Sequence, residues 1–142
     1  FHARHDAVAR RYVYQIALRR TAFAKPFVWW VKEPLDLGRM QAVALSFVGL
    51  HDFGAFAAQD RDEAGASTRV LLERLEFSVD GSLVLVGVEG SHFLWRMVRR
   101  LVGVLVAVGR GELDGPRAEA LLRERSDLPA RLTAPASGLF LD

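Results

Sequence analysis

The chain has 142 residues, 51% of them hydrophobic, with no cysteine and a formal net charge of +2. That is enough for one hydrophobic core, and it excludes disulfides, thiolate metal sites and a cysteine nucleophile. No run of eighteen uncharged apolar residues occurs and the start carries no signal-peptide pattern, so a cytoplasmic protein without a spanning helix is expected.

The chain opens at Phe1 without a methionine, in sequence that already reads as structured, so a piece of a longer protein is expected. Residues 10–20 alternate Tyr12, Tyr14, Ile16 and Leu18 against Arg11, Val13, Gln15 and Arg19, a strand with one richer apolar face. Val28-Trp29-Trp30-Val31 is a second, short strand. Asp36 can cap a helix over 37–48, in which Leu37, Met40, Ala44, Phe47 and Val48 share a face and Gly49 ends the run. His51 to Ala57 predicts a tight turn or one-turn helix with Phe53 and Phe56 tucked beneath it. Residues 58–67, rich in Ala, Asp and Gly, predict a flexible loop. Two strands follow, Arg69–Val79 and Ser82–Glu89, joined at Asp80-Gly81, a strong local hairpin signal.

A helix is then expected from about Phe93 to Val108, ended by Gly109 and Gly111. It is apolar nearly all round beyond its first turns, which is the pattern of a helix inside a domain. Arg96, Arg99 and Arg100, at i, i+3 and i+4, would project from one side of its start and must face a cleft, an acidic partner or a phosphate backbone. Asp114 can cap a helix over Pro116–Arg125, Thr133–Ser137 reads as an exposed link, and Gly138–Leu141 as the start of a last strand. The order β, β, α, β, β, α, α, β gives an α+β fold: a mainly antiparallel sheet with helices packed on one face.

Arginine outnumbers lysine 17 to 2, and the basic residues collect in 1–20 and 92–111. Codon bias explains such a ratio; so does phosphate recognition by a planar, bidentate donor. The histidines His2, His5, His51 and His92 have no metal-ligand spacing, and neither a phosphate loop after a strand nor a G-x-S-x-G elbow is present, so no metal or hydrolase chemistry is expected. Tyrosine and arginine remain. Arg10, Tyr12 and Tyr14 share one strand face. Either the tyrosines are half-buried with hydroxyls in water, or one stacks on a base while arginine holds phosphate.

Five segments in order resemble motifs of the tRNA pseudouridine synthase A family. They are Phe1-His2-Ala3-Arg4 with Ala9-Arg10-Arg11-Tyr12-Val13-Tyr14, Gly49–Phe56 (GLHDFGAF), Phe93–Gly103 (FLWRMVRRLVG), Val108–Gly111 (VGRG) and Pro135–Leu141 (PASGLFL). The resemblance implies a pseudouridine synthase-like half-domain from an enzyme that isomerises uridine in the tRNA anticodon stem-loop, without a cofactor, as a homodimer and with tRNA, not a membrane, as partner. It implies that Tyr12 stacks on the target base and that Arg99 pairs with a nucleophilic aspartate. That aspartate belongs to a G-R-T-D motif of the family's N-terminal half, absent from this chain. Arg10, Arg96 and Arg100 are then candidates for contact with the RNA backbone. Val13 stands where the family has arginine between its tyrosines, and Ser67-Thr68-Arg69-Val70-Leu71 where it has S-P-V-R-T. The alternative is a non-catalytic RNA-binding module derived from that family. A membrane-surface role for the arginine-bearing helix fits less well, because its cations gather at one end instead of lining one side.

Overall fold

A computed structural model describes residues 10–20, 25–58 and 67–142. The Phe1–Arg4 motif and most of the expected 58–67 loop lie outside them. The described chain is α+β, with a six-stranded, mostly antiparallel sheet and four helices. The strands are β1 (Arg10–Ala17), β2 (Trp29–Trp30), β3 (Gly49–Asp52), β4 (Arg69–Asp80), β5 (Leu83–Gly90) and β6 (Leu139–Leu141). The helices are α1 (Leu37–Phe47), α2 (Met97–Gly109), α3 (Gly115–Ala120) and α4 (Leu128–Arg131).

The sheet order is β2-β1-β5-β4-β3, and β6 shares the outer edge of β1 with β2. β6 pairs antiparallel at Tyr12–Tyr14, and β2 pairs parallel at Ile16 and Ala17. The β4–β5 hairpin turns at Gly81 and Ser82, where Gly81 takes φ 60°, a left-handed conformation that costs glycine little. A bulge between Leu72 and Arg74 shifts the alternation by one residue, so that Leu72 and Leu75 both face the core. Gln41 of α1 binds β4 beyond the bulge, accepting from the Phe77 N–H at 3.3 Å.

The core lies between one sheet face and the helices. Tyr14 and Ile16 of β1, Val84, Val86 and Val88 of β5, and Val70, Leu72 and Leu75 of β4 meet the apolar side of α1 and nearly all of α2. α2 is buried at every position except Arg99 and Arg100, and it touches α1, α3, α4 and the turn at Gly54–Phe56. The expectation of an internal helix with a basic start holds in that form.

Four local differences from the sequence reading have physical reasons. α2 begins at Met97, not Phe93, because Arg96 adopts a left-handed conformation (φ 64°, ψ 9°) that cannot continue a helix backwards. Only Arg99 and Arg100 therefore ride on the helix, and Arg96 sits at its cap. α3 stops at Ala120 and gives way to turns, while Asp114 caps it as expected by accepting from the Arg117 N–H at 2.8 Å. Gly49–Asp52 forms a strand by pairing with Val70 and its neighbours, a long-range contact invisible in a four-residue run. The link at 133–137 is not exposed throughout: Ala134 is fully buried.

Candidate active site

Strand β1 places Tyr12 and Tyr14 on its helix-facing side, one residue apart on the pleat. Tyr12 is flanked by Val88 of β5 and Leu141 of β6, and its half-buried ring meets Phe93 edge-on, with centroids 5.2 Å apart and planes at 81°. The aromatic pair fixes the ring without covering it. Phe93 comes from the loop between β5 and α2, so the start of β1 and the chain leaving β5, neighbours at one end of the antiparallel pair, form one aromatic corner.

Tyr14 is different. It is fully buried, and its hydroxyl donates to the Pro135 carbonyl at 2.5 Å. Burial pushes its phenol far above the ordinary range, and the positive charge of Arg99 pulls part of the way back. The chain passes so close that a Cβ on Gly138 would lie 2.7 Å from the Gln15 carbonyl oxygen and from the Tyr14 ring.

Arg99 reaches the same link. Its Nε donates to the Ala134 carbonyl at 2.8 Å, and the Ala134 N–H donates to the Arg99 carbonyl at 3.0 Å. Nε is thereby fixed, and no acceptor for its terminal nitrogens occurs among the described residues. Tyr14 and Arg99 thus meet at the 134–138 link, and Tyr12 lies two positions from Tyr14 on the same face of β1. The sequence reading missed the roles of Tyr14, Ala134 and Pro135. The only signal was the small-residue composition of Pro135–Gly138, which suits a close approach.

Two further candidate cations, Arg96 and Arg100, lie at the start of α2. Arg96 is exposed, with its guanidinium 5.8 Å from the Trp95 ring centre. The Nε of Arg100 is buried without a hydrogen-bond partner, and burial followed by the nearness of Arg96 lowers that guanidinium's pKa. The first turn of α2 contains no acidic residue. Positive charges there oppose the positive end of the helix dipole, so this end of α2 gains stability when an anion docks. Arg10 is exposed at the start of β1, opposite Gly90. The fourth arginine of the segment, Arg110, is structural: it pairs with Glu33 at 3.0 Å and lies 5.5 Å from the Trp29 ring centre.

The GLHDFGAF segment forms a corner of its own, with its Gly54–Phe56 turn packed on α2. Asp52 accepts from the Thr68 hydroxyl and from the Gly54 N–H at 2.9 Å, contacts that hold its carboxyl below the ordinary range, with the Thr68 bond foremost. Phe53 and Phe56 are fully buried. Among the described residues, no group of three or more His, Asp or Glu could hold a metal, and no helix is long and apolar enough to cross a membrane.

Residues 43–142 match the sequence profile of a family described as tRNA pseudouridine synthase. A tRNA pseudouridine synthase A of Staphylococcus aureus (strain bovine RF122 / ET3-1) is 36% identical over 144 residues, covering 100% of this chain and 53% of that protein. One of Geotalea uraniireducens (strain Rf4) is 38% identical over 143 residues, covering 99% of this chain and 58% of that protein. The chain spans little more than half the length of these curated relatives.

Proposed function

This chain belongs to the tRNA pseudouridine synthase family, and on that premise we propose that it is the C-terminal, active-site-completing domain of an enzyme that isomerises uridine to pseudouridine in the anticodon stem-loop of tRNA. In that reaction the N1–C1′ glycosidic bond breaks, the base turns, C5 bonds to C1′, and the C5 proton leaves while N1 regains one. Nothing in this balance needs a cofactor.

Tyr12 is the base platform. Its half-buried ring, locked edge-on by Phe93, offers a face to a flipped uracil and offsets the stacking lost when the base leaves its helix. Its hydroxyl is the group for removing the C5 proton in a site that excludes water. Arg99 is the partner of the nucleophilic aspartate, which the N-terminal domain supplies. With Nε anchored on Ala134, its terminal nitrogens form a fork for a carboxylate, and the α2 start adds the helix dipole. A carboxylate docked there stays ionised although desolvated. Arg10, Arg96 and Arg100 hold RNA phosphates, and the full-length enzyme acts as a cytoplasmic homodimer.

The observation that carries this reading is that Arg99 and Tyr14 are both bonded to the Ala134–Pro135 link, while Tyr12 lies on the same face of the strand that carries Tyr14. Tritium release from 5-tritiated-uridine tRNA by the full-length protein tests it. Tyr12→Phe is expected to slow release by at least about a hundredfold, the scale of general acid–base catalysis, with tRNA affinity nearly intact. Unchanged turnover in that variant refutes the role given to Tyr12.

A further inference from the structure

The loop from Ser91 to Arg96 is fixed at both ends. At its start the Ser91 N–H donates to the Leu71 carbonyl at 2.9 Å, and the Leu71 N–H donates back to the Ser91 hydroxyl at 3.2 Å. At its end the Met97 N–H donates to the Leu94 carbonyl at 3.0 Å, and the Ala58 N–H donates to the Trp95 carbonyl at 2.9 Å. Between these anchors Phe93 turns in against Tyr12, while Trp95 turns out and stays 57% exposed. The loop therefore holds an exposed indole two residues from the Phe93 that braces Tyr12, with a face free for stacking.

Arg96 sharpens the point. It is the only non-glycine residue with positive φ among the described residues. Glycine or asparagine would take that conformation with less strain, and either would end the repulsion between Arg96 and Arg100. Arginine instead holds a guanidinium over the Trp95 ring at the start of α2, an end that already favours an anion. Strain, an exposed aromatic face and unneutralised charge coincide at two adjacent residues.

We propose that Trp95 and Arg96 form a second nucleotide subsite, which grips an RNA residue next to the target uridine: Trp95 stacks on its base and Arg96 binds its phosphate. This rests on the reading of the chain as part of a tRNA pseudouridine synthase. Phe93 and Trp95, from one loop, then work on neighbouring positions. The first steadies the platform for the reacting base, and the second holds its neighbour out of the stem. Stacking on an indole tolerates any base, so the subsite adds affinity and local unstacking more than sequence preference.

The test uses the full-length protein, with tritium release and tRNA binding measured in one series. Trp95→Ala is expected to raise the KM for tRNA about tenfold, the scale of one base–aromatic stack, with kcat little changed. Trp95→Phe should recover most of that loss. Arg96→Gly should reduce the slope of log affinity against log salt by roughly 0.7 to 0.9, one phosphate contact, while its thermal midpoint stays at or above wild type because the backbone strain is relieved. A KM unchanged in Trp95→Ala, or a salt slope unchanged in Arg96→Gly, overturns the subsite alone. Absence of tritium release by the wild-type protein overturns the synthase reading and the subsite with it.

Discussion

Tyr12 and Tyr14 sit two positions apart on the same face of one strand, yet their surroundings give them different chemistry. Tyr12 keeps an open ring face, whereas Tyr14 is closed in and its hydroxyl is committed to the Pro135 carbonyl. Removing that hydroxyl in Tyr14→Phe is expected to destabilise the fold by about 1 kcal/mol and to loosen the link on which Arg99 is anchored. The phenol's pKa is raised in the folded state above its ordinary 10.0. Its stabilising contribution is therefore complete below that value and is lost as pH rises beyond it, because the unfolded chain ionises first. Thermal unfolding followed from neutral to strongly alkaline pH should show a loss of stability in the wild type that is smaller in Tyr14→Phe. At this scale the sequence was half legible. Alternation set both tyrosines on one face, but which of them was open depended on Pro135, 121 positions away. Likewise no local sign marked Arg96 as left-handed, since arginine is not a residue chosen for that conformation.

Among the elements, α2 carries the site because it is packed on every side but one. The tightest of its contacts is at Gly103, where an added Cβ would lie 1.7 Å from the Leu132 carbonyl oxygen and 3.3 Å from the Ala134 nitrogen. Backbone cannot yield there as a flexible side chain would. Gly103→Ala is expected to destabilise by about 3 kcal/mol, the upper end of the range for overpacking, and to shift the 132–134 segment that holds Arg99. Gly87→Ala is the matched control. Nothing lies within 4 Å of its added Cβ, so its stability should change by less than about 1 kcal/mol. Urea denaturation of both variants checks the contrast. The regular elements were readable because each rests on local rules: period-2 alternation for β1, the Asp36 and Asp114 caps, and a glycine-marked hairpin that turns at Gly81–Ser82, one residue later than Asp80-Gly81. β3 and the true start of α2 were not. One depends on a partner strand, and the other lies within an apolar run whose pattern continues smoothly through Phe93-Leu94-Trp95.

For the whole molecule, the basic start of α2 has no acidic counterpart in its first turn, and the chain covers little more than half of its relatives. Both fit a protein whose nucleophile lies on another domain. The isolated chain is accordingly expected to release no tritium from 5-tritiated-uridine tRNA under conditions in which the full-length protein does; release by the isolated chain places the nucleophile within it.

The contact between Tyr14 and Pro135 has a consequence in time as well as space. Those partners are 121 residues apart, and ribosomes add about 5–20 residues per second, so roughly 6 to 24 s separate the synthesis of one from that of the other. Through that interval the outer edge of the strand bearing Tyr12 lacks β6, and a bare edge invites pairing with a neighbouring nascent chain. The corner that holds Tyr12 is consequently among the last parts of the fold able to close, because Pro135 and β6 are made after the strands they pack against.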